Sequence, residues 1–459
     1  MHIAIVGAGY VGLVTAACLA HLGHDIVCLD VDAARVARLR AGDLPVHEPG
    51  LDELVAEGLR EGRLTFAGDY AAIRGAELAI VCVGTLDPDE EWDDAIVRAA
   101  VNDIASDPGL PRTIVIRSTL LPGTAADIAR QAHAIDASVR IAHNPEFTRE
   151  AVAVSDFLAP DRVVIGVDGH DDGAAGSALA EALQRVYAPL AAPVLLTDLT
   201  SAETIKVASN VFLAAKITFA NEISRLAAAT GADAQAVVEG MGLDKRIGRS
   251  FLSPGPGFGG SCFPSQARAL PRLAHGHGVQ TPLMDAIWPS NLRQADWLVE
   301  GLERAACRSV SGMRVALLGL TFKAGTDDLR ESPAIRLGCG LLAHGASVAA
   351  FDPVALERGI ILLRAAAADV ADADPATANA ALEAAPSVAD AIRGAHAVVV
   401  ATEWPEFGTL DWAAIAPAMA GDLVVDGRRI VDTTAASAAG LRVMALGVEA
   451  AGAPLRAAD

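Results

Sequence analysis

Gly7-Ala8-Gly9-Tyr10-Val11-Gly12 follows the apolar run Ile3–Val6 and opens a helical pattern from about Val11 to Leu22, stopped by Gly23. Gly7 permits a tight turn, Gly9 lets the backbone approach a pyrophosphate, and Gly12 lets the helix pack close to the strand. The helix N-terminus attracts phosphate charge. A second strand, Asp25–Leu29, ends in Asp30, 18 residues after Gly12. A carboxylate there accepts hydrogen bonds from a ribose diol and repels a 2′-phosphate, so NAD rather than NADP is the expected cofactor. Arg35 is placed to touch the adenosine side. The competing reading is a glycine-rich packing turn.

Ile3 to Ala20 carries no charge. That length satisfies a simple membrane-span rule, but glycines interrupt it and no positive charge precedes it, as a secretion signal requires. A buried strand, turn and helix account for it better. Further apolar runs at Ala79–Val83, Thr113–Ile116, Val139–His143 and Val163–Val167 alternate with helical stretches. That alternation predicts a doubly wound parallel sheet. Helical patterns follow from about Ser201 to Ala229 and onward to about Arg246. Glycine and proline cluster from Ser253 to Pro264, and another helical stretch covers about Pro282 to Arg304. Arg314–Leu318 opens a second α/β region, with companions Ser347–Phe351, Ala397–Thr402 and Leu423–Val425. It has Gly319 but no complete GxGxxG, so no second dinucleotide is assigned to it. The Ala- and Asp-rich stretch 365–385 reads as helix or solvated connector.

The chain has 459 residues, enough for two or three domains. With 52% hydrophobic and 20% charged residues it buries a large core, which excludes a disordered chain. Lys plus Arg number 36 against 57 Asp plus Glu, a formal net charge of −21. That excludes the basic footprint of a nucleic-acid binder and attraction to anionic membranes. Six scattered cysteines show no CxxC pair. They read as reduced thiols, which points to the cytoplasm.

Gly255-Pro256-Gly257-Phe258-Gly259-Gly260-Ser261-Cys262 presents a cysteine beside four glycines. Cys262 reads as a nucleophile or as a buried structural thiol. Lys206 and Asn210 share one face of an apolar helix, where a lysine either acts chemically or snorkels to the surface. Glu146 follows a strand directly, at the edge where parallel sheets bind ligands. It is a candidate acid/base or a solvated carboxylate. Thr119, after Thr113–Ile116, has the same placement or serves as a cap. His275-Gly276-His277 lacks a third ligand at suitable spacing, so no metal is expected.

Together these segments resemble the UDP-glucose/GDP-mannose dehydrogenase family over nearly the whole chain. The resemblance rests on GAGYVG at 7–12, NPEF at 144–147, PDRVVIG at 160–166 and AETIKVASNVFLAAKITFANEI at 202–223. GPGFGGSCFP at 255–264, FKAGTDDLRESPA at 322–334 and VVDGRR at 424–429 complete it. It implies an α/β fold of two Rossmann-like doubly wound domains joined by a long central helical segment. The expected division is 1–200 for NAD, 201–305 for dimerisation and the cysteine loop, and 306–459 for a UDP-sugar. The implied reaction is a four-electron oxidation of the sugar C6 alcohol to a carboxylate with NAD, by way of a thiohemiacetal and thioester on Cys262. UDP-glucose is favoured by the run Asn210–Lys216; UDP-N-acetylmannosamine and GDP-mannose remain open.

The resemblance implies roles residue by residue. Lys206 and Asn210 would stabilise charge on the C6 oxygen, Glu146 would be a base toward water, and Thr119 would hold a water or that base. NAD would be held at Gly7, Gly9, Tyr10, Val11, Gly12, Asp30 and Arg35. Thr85, Ser118, Thr119, Glu150 and Arg330 would also lie near it. The sugar nucleotide would meet Glu146, Phe147, Lys206 and Asn210, and the loop Phe251, Leu252, Ser253, Pro254 and Gly255. Gly259, Phe322, Lys323 and Arg428 would join them, with Arg246 reaching in from a partner subunit of a homodimer. Two departures stand out. Leu86 replaces a proline after the third strand, and Ser265-Gln266 stands where the family has Lys-Asp. Gln266 cannot carry charge, which opens a further reading as a weakened, ligand-binding homologue.

Overall fold

The computed structural model describes residues 1–87, 91–168, 174–370 and 381–447. Two compact units divide it, Met1–Ser209 and Asn210–Asp459. The N-terminal unit holds strands β1 (His2–Val6), β2 (Asp25–Leu29), β3 (Leu64–Ala67), β4 (Leu78–Val81), β5 (Thr113–Ile116), β6 (Arg140–His143), β7 (Val163–Val167) and β8 (Val194–Asp198). Its helices are α1 (Tyr10–His21), α2 (Ala33–Arg40), α3 (Leu51–Glu61), α4 (Ala95–Ser106), α5 (Thr124–Ile135), α6 (Ala153–Leu158) and α7 (Ala174–Tyr187). The long helix α8 (Leu199–Thr230) runs across the boundary.

The strands form one sheet in the order β3-β2-β1-β4-β5-β6-β7-β8. Chain order reverses between β1 and β4, so a crevice opens at their carboxyl ends. Buried apolar side chains cover both faces: Ile3, Ile5, Leu13 and Leu19 pack on one, Ala4, Val81, Val101 and Ile128 on the other. This is why the strands read as unbroken apolar runs. One detail departs from an all-parallel sheet. β7 pairs antiparallel with β6, with Ala142 opposite Val167. The segment between them stays at the carboxyl end of β6 instead of crossing back. Asn144 fixes it there by donating from Nδ2 to the Val164 carbonyl, 2.7 Å.

The C-terminal unit continues α8 and adds α9 (Ala234–Gly242), α10 (Cys262–Gly276), α11 (Pro282–Ala306) and α12 (Pro333–Ala343). Its strands are β9 (Arg314–Leu318), β10 (Ser347–Phe351), β11 (Leu382–Ala384), β12 (Ala397–Val400), β13 (Leu423–Asp426) and β14 (Arg442–Ala445). Their order, β11-β10-β9-β12-β13-β14, repeats the first six positions of the N-terminal sheet. The repeat extends to chemistry. Asp30 at the end of β2 accepts from the Ala8 N–H, 2.9 Å, in the turn after β1. Asp352 after β10 accepts from the Leu320 N–H, 2.7 Å, in the turn after β9.

The sequence pattern passed over β3, β8, β11 and β14. β3, β11 and β14 mix apolar with polar or small residues, and β8 has no buried residue, so none reads as a strand covered on both faces. Within the alanine-rich stretch 365–385, residues 371–380 lie outside the described residues, and Leu382–Ala384 is a strand. Cys262 is the first residue of α10 rather than part of a loop. No described helix is long and apolar enough to cross a membrane.

Candidate active site

Packing explains the glycines of the first turn. Gly7 has φ +102°, and a Cβ there would lie 2.8 Å from the Cys82 carbonyl oxygen. A Cβ on Gly12 would lie 1.8 Å from the Gly7 carbonyl oxygen, so α1 is pressed directly on the turn. A Cβ on Gly9 would meet nothing within 4 Å. The turn is thus crowded from within and open at Gly9, which fits a dinucleotide better than a packing turn. Tyr10 hydrogen-bonds Glu48. Burial, and then the Glu48 and Glu150 carboxylates, push its phenol well above the usual range. Val11, the next residue, is partly exposed on the first turn of α1.

Asp30 is buried and accepts from Ala8 N–H, Asp32 N–H (2.9 Å) and Arg35 (3.0 Å). Burial alone would raise its carboxyl; those bonds and the Arg35 guanidinium outweigh it and hold it low. Arg35 is therefore paired with Asp30. Ser118 donates to the Val83 carbonyl, 2.7 Å, tying the ends of β4 and β5 together. Half-buried Thr85 and Thr119 lie in the loops that leave those two ends.

At the end of β6 the sequence reading of Lys206 as a snorkelling surface residue fails. Its ammonium donates to Glu146 Oε1 at 2.8 Å, and the side chains are only 3% and 6% exposed. Thr148 gives Glu146 Oε2 two more hydrogen bonds, from N–H and Oγ1, each 2.6 Å. Burial would raise the Glu146 carboxyl, but the Lys206 charge and these donors hold it below its ordinary value. Phe147 presents its ring to Lys206 (5.3 Å) and to Arg162 (3.7 Å). Asn210 is one helical turn beyond Lys206 in α8. His143, fully buried beneath, falls from 6.5 to about 4 because burial disfavours its charged form.

In the C-terminal unit, residues 254–260 form a buried coil before α10. Gly259 lies against Phe322 and the Glu331 carbonyl, and the Gly260 N–H donates to the Arg330 carbonyl, 2.9 Å. Arg428 donates to the carbonyls of Ala401 (2.8 Å) and Phe322 (2.7 Å). A Cβ on Gly255 would sit 3.5 Å from its Nη1. Gly255, Gly259, Phe322 and Arg428 therefore converge. Lys323 Nζ lies 5.4 Å from the Phe322 ring, and Arg330 pairs with Asp328.

Phe251 adopts a left-handed φ of +63°, rare for a bulky residue. Beyond it Leu252 and Pro254 are buried and Ser253 is exposed. Arg246 does not join the cluster: its side chain is 88% exposed and pairs with Asp244. Cys262 is exposed at the first position of α10, the positive end of that helix's dipole. One turn on, Gln266 is 2% exposed and its Oε1 has no hydrogen-bond partner.

Residues 1–191, 200–293 and 316–433 match, in turn, the NAD binding, central and UDP binding domains of the UDP-glucose/GDP-mannose dehydrogenase family. The chain belongs to this family. It is an NAD-dependent nucleotide-sugar dehydrogenase. The chain is 40% identical to a UDP-glucose 6-dehydrogenase of Pseudomonas aeruginosa, covering 94% of each chain. It is 38% identical to one from Rhizobium meliloti, over 97% of this chain and 99% of that one. A solved UDP-glucose dehydrogenase from Pyrobaculum islandicum superposes with a TM-score of 0.81 at 36% identity, covering 94% of each chain.

Motif reasoning missed the supports of this dehydrogenase's site. Glu203 is buried in α8 and accepts from the Gly123 (2.7 Å) and Ala125 (2.6 Å) N–H groups at the start of α5. It stands three residues before Lys206, and the same incongruity of a charge in an apolar helix signalled it. Glu48 takes the Tyr10 hydroxyl and the Ala153 N–H, 2.6 Å. Nothing periodic marks it, because its partners are far away in sequence.

Proposed function

We propose that this protein oxidises the C6 alcohol of UDP-glucose to the carboxylate. The full-length likeness to the P. aeruginosa UDP-glucose 6-dehydrogenase carries this reading. NAD held by the N-terminal unit would supply the hydride acceptor for both oxidations. The glycine turn with Asp30 holds the dinucleotide, and Thr85, Ser118, Thr119, Glu150 and Arg330 assist. Lys206 and Asn210 stabilise negative charge on the C6 oxygen. Between the oxidations, the Cys262 sulfur bonds to the aldehyde carbon and forms a thiohemiacetal, so the aldehyde does not escape. Oxidation leaves a thioester, and water displaces the thiol to release the carboxylate. Glu146, its carboxyl held below the ordinary value by Lys206, accepts a proton from that water, and Thr119 holds the water or that base. Phe147, Phe251, Leu252, Ser253, Pro254, Gly255, Gly259, Phe322, Lys323 and Arg428 hold the sugar nucleotide. On this reading, residues 1–200, 201–305 and 306–459 take NAD, dimer and UDP-sugar duties.

The test is a count of NADH against UDP-glucose consumed. Two per sugar with UDP-glucuronate as product is expected; one per sugar with free aldehyde overturns the reading. Cys262→Ser should abolish turnover. Buried Gln266 in place of a carboxylate favours a second reading, a slow enzyme that binds its ligands normally.

We also infer a homodimer through α8. Phe212, Phe219 and Leu226 are 67%, 48% and 58% exposed at seven-residue spacing, an apolar stripe suited to a second copy of the same helix. Exposed Arg246 then serves the partner's site. Sedimentation should report a dimer for the wild type and a monomer for Phe212→Asp/Phe219→Asp; a wild-type monomer refutes it. Six cysteines with no CxxC pair among them support a cytoplasmic location.

A further inference from the structure

The coil 254–260 is buried yet belongs to no sheet or helix, so its backbone polar groups need partners from elsewhere. Three side-chain amides supply those of Gly255 and Phe258. Asn221 of α8 accepts from the Gly255 N–H at 2.8 Å, and Gln294 of α11 donates to the Gly255 carbonyl at 2.9 Å. Asn291 of α11 accepts from the Phe258 N–H at 2.8 Å and donates to the Phe258 carbonyl at 3.0 Å. Both backbone groups of Gly255 and of Phe258 are thus gripped, as a neighbouring strand would grip them. The three amides are buried to 1%, 6% and 0% exposure. Arg225 braces the Gln294 oxygen from α8. Gly257 fits because its φ is +126° and a Cβ there would stand 2.9 Å from Asn291 Oδ1. Asn291 and Gln294 interrupt the apolar face of α11 formed by Ile287, Ala295 and Leu298. A buried amide on such a face is costly unless its hydrogen bonds are made.

We propose that Asn221, Asn291 and Gln294 are positioning residues that fix the coil, and with it the start of α10 and the Cys262 sulfur. The coil ends at Ser261, immediately before Cys262, so a shift of the coil moves or frays the first turn of α10 and weakens the dipole acting on the thiol. The catalytic consequence rests on the reading of Cys262 as nucleophile; the geometric one does not.

The test compares carbamidomethylation of Cys262 by iodoacetamide with that of exposed Cys307 in the same molecules, by mass spectrometry, for Asn291→Ala, Gln294→Ala and Asn221→Ala. The Cys262/Cys307 rate ratio at neutral pH should fall about 3- to 10-fold, with turnover falling in parallel and KM for NAD unchanged. An unchanged or increased ratio in folded variants overturns the proposal. Hydrogen exchange of the wild-type protein decides it if the variants do not fold. The Gly255 and Phe258 amides should be as protected as those of α11, and exchange at open-loop rates overturns it. Should Cys262→Ser keep full turnover, the nucleophile reading fails, while the alkylation ratio still judges the clamp.

Discussion

Replacing Lys206 by methionine keeps the apolar stem and removes the ammonium that sits 2.8 Å from Glu146. The pair is nearly inaccessible, so solvent screening is weak and the buried carboxylate is left without its countercharge. Removing one partner of a buried pair costs about 3–5 kcal/mol. At about 2–4 °C per kcal/mol for a unit of this size, that is a melting shift of roughly 6–20 °C. The loss must depend on pH. In wild type the Glu146 carboxyl titrates below its unfolded value, so the pair's stability is present above the unfolded value and lost as pH falls through the folded one. In Lys206→Met the largest opposing charge is gone and the Thr148 donors are left to offset burial, so the carboxyl is expected to titrate above its unfolded value. The variant is therefore penalised as pH rises past about 4.5, and least at acid pH where the carboxyl is protonated. Calorimetry of wild type, Lys206→Met, Glu146→Gln and the double variant at pH 5 and pH 8 measures this. The double variant should recover about 2 kcal/mol or more of the single-variant loss at pH 8. A loss for Lys206→Met that is the same at both pH values, or no coupling in the cycle, would refute the buried-pair account.

His143 predicts an acid limit. Its folded value of about 4 lies below the unfolded 6.5, so stability falls as pH drops through this window, by roughly 3 kcal/mol in total. His143→Gln should flatten that part of a pH–stability curve, and an unchanged slope contradicts it. Gly9→Ala and Gly12→Ala should separate binding from folding. The first leaves the melting temperature within about 2 °C but weakens NAD binding at least tenfold by calorimetric titration, since its Cβ enters open space. The second collides with the Gly7 carbonyl and lowers the melting temperature by about 5 °C or more. Gln266→Asp should raise kcat tenfold or more with KM for UDP-glucose within about threefold; equal kcat would show that a carboxylate there adds nothing.

The two sheets, the glycine turn and Asp30 were legible from the sequence because each is a local matter. An apolar run buried on both faces, a turn that admits no Cβ, and an acid a fixed distance onward are set by neighbours along the chain. The candidate residues Lys206, Glu146 and Cys262 were legible as chemical types in unexpected settings. Tertiary structure alone decided what surrounds them. It paired Lys206 with Glu146, 60 positions apart in the chain, reversed β7 against β6, set Cys262 at a helix start, and gave the buried coil its partners in Asn221, Asn291 and Gln294. Such contacts join residues far apart in sequence, and a buried amide or carboxylate has no periodic signature. Its place is fixed by the hydrogen-bond partners it meets there, which only the folded chain brings together.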